Sequence, residues 1–266
     1  MKKSQLHLVV LIIVSMLFWF HNCQGQWVWQ NPVPTGNSLW GSHFINSSTG
    51  WLAGENGEIL KTTNQGVNWI IQNTGNPDII RTVYFIDSQN GWSAGEQGLI
   101  YKTTNGGTNW TTSFNPVNYR RIFSLFFMNN QTGWASGAGL VCRTTNGGNN
   151  WDTVLVAGTL YDIQFVNSLT GWVVGDGGTF KSTNGGQNWV SIGNSAYAVH
   201  FVNENLGFVV GISGRIAKTT NGGVNWTAQQ FSGSPSLFTV YFSDSLKGWA
   251  AGTNLIIATI DGGAYW

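Results

Sequence analysis

The residues that could carry out acid–base or nucleophilic chemistry are few in this sequence, and their spacing does not bring them together. Only 9% of the 266 residues are charged, with 11 acidic and 12 basic side chains. Glu55, Glu96 and Asp176 fall at one position of a repeat, in a turn between two predicted strands, where solvated turn residues are expected. Hydrolysis of a glycosidic bond generally needs two carboxylates about 5–10 Å apart. Because equivalent positions of a repeat fan around a common axis, the sequence predicts no such pair.

The sequence also predicts no metal site, no cofactor and no catalytic nucleophile. Cys142 is the only cysteine beyond residue 25, so neither an intrachain disulfide nor a cysteine-based zinc site is expected. His43 and His200 occupy equivalent strand positions, where half-buried packing is expected. Each Gly-Gly pair belongs to a repeated turn rather than to a phosphate-binding loop, and no Ser–His–Asp grouping stands out. We therefore expect a protein that is not an enzyme.

The first 25 residues have the pattern of a cleaved export signal. Met1-Lys2-Lys3 is followed by an apolar run from Leu6 to Phe20, which is shorter than the roughly 20 residues that a membrane-spanning helix needs. Removing Lys2 and Lys3 leaves 10 basic residues against 11 acidic ones, which excludes the cationic surface that nucleic acids require. The sequence predicts a signal peptide over 1–25, one domain over 26–266, and a secreted, periplasmic or cell-surface location without a stable membrane span.

A tight turn recurs six times along the chain, and its final tryptophans are 37–41 residues apart. Each turn has Asn or Asp, then Gly two residues later, then Trp three residues after that. A period near forty with short strands and many Gly, Thr and Asn residues indicates the four-stranded antiparallel blades of a β-propeller. The turn residues are Asn64, Gly66, Trp69; Asn105, Gly107, Trp110; Asn146, Gly148, Trp151; Asn184, Gly186, Trp189; Asn221, Gly223, Trp226; and Asp261, Gly263, Trp266.

Each turn, which we call a box turn, has residue types that suit a structural role. Thr62 and Asn64 can hydrogen bond the backbone of the turn, and Gly66 can adopt a positive φ without a Cβ clash. Trp69 can then cover the turn and bury a large ring. The box turns are therefore predicted to hold hairpins together rather than to bind a ligand.

The box turn resembles the Asp-box of the bacterial neuraminidase repeat, Ser/Thr-x-Asp-x-Gly-x-x-Trp, with Asn in place of Asp in five copies. The longer unit, Gly-Trp-x-(Ala/Val)-Gly, a Gly turn, Lys-Thr-Thr-Asn-Gly-Gly and Trp, is similar to photosystem II stability/assembly factor-like propellers over residues 38–266. This resemblance implies an all-β propeller that binds an immature membrane protein complex. A sialidase would need three carboxylate-binding arginines and a Tyr–Glu pair, whereas the region beyond residue 25 has five arginines and no arginine motif before the first box.

Six blades are visible in the repeat pattern, and a seventh is expected if the sequence is a piece of a longer chain. Gln26-Trp27-Val28-Trp29-Gln30-Asn31 matches Asn68-Trp69-Ile70-Ile71-Gln72-Asn73, with Trp27 aligned on Trp69. The simplest closure has residues 27–31 complete the last blade, so that no sheet edge stays open. The alternative is a fragment that lacks a blade or a C-terminal anchoring domain.

The links between blades vary in length, whereas the box turns are nearly identical, so binding is expected at the end of the molecule that carries the links. One position near that end lies four residues before the last aromatic of each first strand. It reads Trp40, Arg81, Phe123, Tyr161, Tyr197 and Phe238, with Arg120 and Arg121 in the longest link. These residues are predicted either to form the rim of a central mouth that captures a ligand, or to pack between blades.

Taken together, these patterns predict an exported, non-enzymatic scaffold that binds a protein or peptide at its mouth. The first alternative is a secreted or cell-surface adhesion module that binds a glycan, and a sialidase-like glycosidase is less favoured. No nucleic-acid partner is expected, and the sequence does not indicate an oligomeric state.

Overall fold

In a computed structural model of the chain, the described residues are 34–114, 120–231, 233 and 235–266. Apart from Pro34, they belong to one compact unit, Thr35–Trp266. The predicted signal peptide and the strand expected over 27–31 lie outside the described residues. Within the described part, no helix is long and apolar enough to cross a membrane.

The described residues are organised as β-strands that follow the six sequence repeats. The first two repeats form β1 (Leu39–Phe44), β2 (Gly50–Gly54), β3 (Glu58–Thr62), β4 (Ile70–Asn73), β5 (Ile80–Phe85), β6 (Gly91–Gly95), β7 (Ile100–Thr103) and β8 (Thr111–Phe114). The third and fourth form β9 (Ile122–Phe127), β10 (Gly133–Thr144), β11 (Asp152–Phe165), β12 (Gly171–Gly175), β13 (Gly178–Ser182) and β14 (Val190–Gly193). The last two form β15 (Ala198–Phe201), β16 (Gly207–Val210), β17 (Arg215–Thr219), β18 (Thr227–Gln230), β19 (Leu237–Phe242), β20 (Gly248–Gly252) and β21 (Leu255–Thr259). Two short 3-10 helices, Glu55–Gly57 and Ile212–Gly214, form turns between strands.

The all-β propeller of antiparallel blades is confirmed, but the predicted count of six or seven blades is wrong: the described strands form five sheets. Three sheets have four strands, β1–β4, β5–β8 and β15–β18, and the sheet β19–β21 has three. The third and fourth repeats share one six-stranded sheet. This happens because β11 runs without a break from the outer strand of the third repeat into the inner strand of the fourth.

The core lies between neighbouring sheets and is built from one repeated ring pair. A buried aromatic on the second strand of a repeat stacks on the last aromatic of the next repeat's first strand, with ring centroids 3.5–3.7 Å apart. The pairs are Trp51–Phe85, Trp92–Phe127, Trp134–Phe165, Trp172–Phe201 and Phe208–Phe242. Phe44 and Trp249 hold the same positions at the two ends of the described region and stack on no ring of another sheet there. Their exposed fractions are therefore 47% and 43%.

The box turns bind their own backbone through the threonine and asparagine. Thr62 Oγ1 accepts a hydrogen bond from the Gly66 amide (2.9 Å) and donates to Asn64 Oδ1 (3.0 Å), which in turn accepts from the Asn68 amide (2.9 Å). The Gln65 amide donates to the Ser48 carbonyl, so the box turn lies beside the turn between the first two strands. We call this end of the sheets the box end.

The interblade links lie at the other end of the sheets, beside the turns between second and third strands. In the first repeat, the Gly57 amide donates to the Asp78 carbonyl (2.9 Å) and the Thr74 amide donates to the Gly57 carbonyl (3.1 Å). The sequence-based expectation placed variable links and potential binding at this end, which we call the link end.

Cys142 lies in the third repeat on β10 and is fully buried. Its sulfur lies 3.5 Å from Thr153 Oγ1, and burial raises the pKa of the thiol to about 11. The thiol is therefore protonated and inert in the native protein, in keeping with a packing role.

Candidate functional site

A cavity of about 370 Å³ opens among the innermost strands. It is lined by one residue from each of the six repeats: Trp40, Arg81, Phe123, Tyr161, Tyr197 and Phe238. These are the six residues that the sequence register selected for the mouth. We call the cavity the mouth.

β-Bulges aim these side chains into the mouth. The pairing between first and second strands skips one residue in five repeats, and the skipped residues are Trp40, Arg81, Phe123, Tyr161 and Phe238. A bulge leaves its extra residue outside the ladder and redirects the side chain. In the fifth repeat, Tyr197 lies immediately before β15 and its amide donates to the Val210 carbonyl (2.7 Å). The strand alternation alone did not predict these bulges.

The lining side chains form a continuous series of contacts around the mouth. The Arg81 guanidinium lies 4.8 Å from the Trp40 ring centroid and 5.3 Å from that of Phe123. Ring contacts of 5.4–5.6 Å continue the series, through Phe123–Tyr161, Tyr161–Tyr197 and Tyr197–Phe238. The rings therefore pack on their neighbours and still present one side to the cavity, and the capture of a ligand there stays a prediction.

One acidic residue joins two of the predicted arginines. Glu96 bonds the Nε of Arg81 with one carboxylate oxygen and the Nε of Arg121 (2.5 Å) with the other. The prediction that Glu96 is a solvated turn residue is therefore wrong, since its side chain is only 18% exposed and pairs with two guanidinium groups. Among the described residues, the Nη groups of Arg81 have no hydrogen-bond acceptor, so they remain available for an anionic group of a ligand.

The two arginines of the longest link have different environments, and neither lines the mouth. Arg121 is exposed and is held by Glu96. Arg120 donates from Nη1 to the carbonyl oxygens of Ala138 (3.1 Å) and Gly139 (3.4 Å), which fixes the short turn in β10. The predicted arginine cluster beside the mouth therefore consists of Arg81 and Arg121, whereas Arg120 supports the scaffold.

A second layer of side chains lies next to the mouth and bridges neighbouring innermost strands. His43 Nδ1 accepts from the Phe85 amide (3.3 Å), and Gln164 accepts from the Phe201 amide. Burial lowers the pKa of both His43 and His200 to about 4, so the rings stay neutral at pH 7. The innermost strands face the axis with an unpaired edge, and these side chains satisfy part of it.

Asp162 is a half-buried carboxylate in this second layer. Its oxygens accept hydrogen bonds from Ser124 Oγ (2.9 Å), the Ile163 amide (2.9 Å) and the Val199 amide (3.0 Å), which tie three innermost strands together. Burial raises the pKa of Asp162 to about 6, and the three donors limit that rise. Comparison of the repeats did not predict this role. The other repeats have uncharged residues at the position of Asp162, so the position shows no recurring acidic residue.

The geometry of the mouth does not fit acid–base hydrolysis. None of its six lining residues is a carboxylate, Glu96 is engaged by two arginines, and Asp176 Oδ1 accepts from the Thr159 amide (2.5 Å). Within the described residues, no group of three or more His, Cys, Asp or Glu side chains could hold a metal ion. The arrangement suits recognition instead, because aromatic faces and a guanidinium bind extended chains and anionic groups.

Comparison with known proteins identifies the family. The sequence profile of the photosynthesis system II assembly factor YCF48 matches residues 22–111 and again 73–160, which together make up more than half of the chain. The chain belongs to the YCF48 family. No curated protein matches the sequence significantly.

Solved structures agree with this family in their fold. The chain is similar to YCF48 bound to a D1 peptide, with 20% identity, a TM-score of 0.72 and coverage of 88% of this chain and 81% of that one. It is also similar to YCF48 from Cyanidioschyzon merolae, with 18% identity, a TM-score of 0.73 and coverage of 90% and 87%.

A glycoside hydrolase shares the fold over a smaller part of its length. The chain is similar to an ancestral GH74 enzyme with 20% identity and a TM-score of 0.69, covering 87% of this chain but 37% of the enzyme. At this identity the likeness concerns the fold alone.

Proposed function

We propose that this YCF48-family chain is an exported scaffold, without enzymatic activity, that binds an extended peptide segment of a protein partner in the mouth. The observation that carries this proposal is the single cavity to which all six repeats contribute one side chain, five of them aromatic. The similar structure of YCF48 bound to a D1 peptide supports a peptide as the ligand class. The apolar segment near the N-terminus supports export.

The mouth offers two kinds of contact to a peptide. The rings of Phe123, Tyr161 and Tyr197 can bury an apolar side chain or the flat face of a peptide bond. Arg81 is held between two rings and fixed through Nε by Glu96, so its Nη groups are preorganised for a carboxylate. A peptide that carries an acidic residue or its C-terminal carboxylate close to an apolar residue fits this chemistry best.

Fluorescence anisotropy with a fluorescein-labelled synthetic D1 peptide tests the proposal. Arg81→Ala removes a hydrogen-bonded charge and is expected to weaken binding roughly tenfold to a hundredfold. Tyr161→Ala is expected to weaken it as well, through the loss of an aromatic face. Lys247→Ala is the matched control, because Lys247 is exposed at the box end and its substitution is expected to leave affinity unchanged.

Two results would contradict the proposal. One is wild-type protein that shows no saturable binding of the peptide. The other is binding that Lys247→Ala weakens as much as Arg81→Ala does, since this would indicate general attraction to basic side chains. Circular dichroism and thermal melting of each variant establish that the fold is unchanged.

A further inference from the structure

A cleft extends from the mouth toward the outer strand of the fifth repeat. The mouth shares Tyr161 and Tyr197 with a cavity of about 160 Å³ that also touches Asp176 and Ile212. That cavity shares Ser195 and Ile212 with a third one of about 430 Å³. The third cavity ends at Arg215 and at residues 228–230 of β18. We call the two outer cavities the side cleft.

The second repeat serves as an internal reference for the side cleft, because the equivalent position between its strands is closed. Residues 95–101 align one for one with 211–217, and the cavity they border measures about 10 Å³. Gln97 closes it by donating from Nε2 to Asp78 Oδ1 (3.0 Å), with Leu99 beside it. In the fifth repeat these two positions are Ser213 and Arg215. A shorter side chain and a cation that reaches solvent replace the closing pair.

The third difference between the two repeats concerns the apolar surface of the side cleft. Glu96 of the second repeat is engaged by two arginines, whereas its counterpart Ile212 is 54% exposed and lies where the two outer cavities meet. The link of residues 194–197 turns away from it, because the Ala196 amide donates to the Gly175 carbonyl (3.2 Å) of the preceding repeat. Ile212 therefore has an open face toward the side cleft.

Charge indicates what kind of group the outer end of the side cleft accepts. Both ion pairs of the described residues involve Glu96, and Arg215 has no carboxylate partner there. Its Nη1 donates weakly to the Ser195 carbonyl (3.5 Å), which orients the guanidinium across the side cleft. Gln230 Nε2 donates to the Ser213 carbonyl (3.0 Å), and Arg215 is the cationic residue among those that line this outer cavity. A guanidinium in such a position recognises a carboxylate.

We propose that the side cleft is a second subsite for the same peptide, in which an apolar side chain covers Ile212 and a carboxylate pairs with Arg215. The inference rests on the proposed peptide binding in the mouth and extends it. The occupant is an extended peptide, because the mouth leads through shared lining residues into the first outer cavity, which leads in the same way into the second, and only an extended chain contacts all three. An acidic residue next to an apolar one is the feature that this subsite selects.

Phage display tests the side-cleft subsite without a ligand chosen in advance. The full chain is immobilised, and binders are selected from random twelve-residue peptides. One selected peptide is synthesised with a fluorescent label and titrated by anisotropy. The proteins compared are wild type, Arg215→Glu, Ile212→Asp, the mouth variant Arg81→Ala, and Lys247→Glu as a charge-matched control at the box end. A second peptide carries Lys in place of its acidic residue.

If the side cleft binds the peptide, Arg215→Glu and Ile212→Asp should each weaken the affinity for the selected peptide roughly tenfold or more, whereas Lys247→Glu should not. The Lys-substituted peptide should also recover affinity for Arg215→Glu, which a folding defect could not produce. Unchanged affinity in both side-cleft variants, with Arg81→Ala still weakened, would overturn the subsite and leave the mouth proposal intact. If Arg215→Glu weakens binding and Arg81→Ala does not, binding in the mouth is contradicted, and so is the extension of one peptide from the mouth into the side cleft. If no peptide is selected that binds saturably, both proposals fail.

Discussion

The repeated ring pair predicts that equivalent tryptophans contribute unequally to stability. Trp172 is fully buried, stacks on Phe201 at 3.5 Å, and donates its indole N–H to the Gly222 carbonyl at 3.3 Å. Replacing a core tryptophan with alanine costs about 3–5 kcal/mol, to which the lost stacking adds about 1 kcal/mol. The Gly222 carbonyl keeps the Lys181 ammonium at 3.0 Å, so it is not left unsatisfied. We therefore expect Trp172→Ala to lower the free energy of unfolding by about 4–6 kcal/mol.

Trp249 occupies the same position in the last repeat but is 43% exposed and stacks on no ring of another sheet among the described residues. Water replaces the removed ring there, so the cavity contribution disappears and only part of the transfer free energy is lost. We expect Trp249→Ala to cost about 2 kcal/mol or less. Urea unfolding followed by far-ultraviolet circular dichroism measures both variants. Equal losses would refute the reasoning, because they would mean that Trp249 is covered in solution as fully as Trp172.

Three further outcomes are expected. Asp162 has a raised pKa when folded, so the folded protein binds more protons than the unfolded chain between about pH 4 and 6, and this group's contribution to stability falls as pH rises through that window. Wild type should lose more stability than Asp162→Asn between pH 4 and 7 in urea titrations, and parallel curves would contradict this. Thr103→Val removes the acceptor of the Gly107 amide (2.9 Å) and should cost about 1–3 kcal/mol by the same assay, whereas the exposed Thr108→Val should be nearly neutral. Intact-mass spectrometry of protein exported by a host cell should give the mass of a chain that begins at Gln26, and the mass of a chain that retains Met1 would contradict the predicted signal peptide.

The sequence was sufficient to locate the mouth residues because the repeat supplies its own alignment. Counting four residues back from Phe85, Phe127 or Phe165 gives Arg81, Phe123 and Tyr161 without knowledge of any contact. The count could not show why those residues face the cavity. A β-bulge depends on how two strands pair, and pairing is a property of the folded sheet rather than of either strand alone.

The differences between sequence and structure arise where repeats meet. The sequence spacing assigns Trp151 and Phe165 to two separate blades. In the structure, however, β11 runs from the residue after Trp151 to Phe165 without a loop, so the third and fourth repeats form one sheet. Glu96 likewise belongs to one repeat and Arg121 to the next, so a repeat-by-repeat comparison could not predict their ion pair. Contacts between repeats depend on relative positions that the period does not encode.

The buried thiol of Cys142 makes it possible to measure how often the third repeat opens locally. A cysteine reagent reacts only with the thiolate, and both burial and the raised pKa suppress that species in the folded third repeat. The rate of alkylation therefore reports how often this part of the propeller opens, and its ratio to the rate in urea yields the free energy of opening. Because Cys142 is the sole cysteine in a chain beginning at Gln26, the measurement needs no engineered label. If the proposed peptide binds in the mouth, to which the third repeat contributes Phe123, we expect alkylation of Cys142 to become slower.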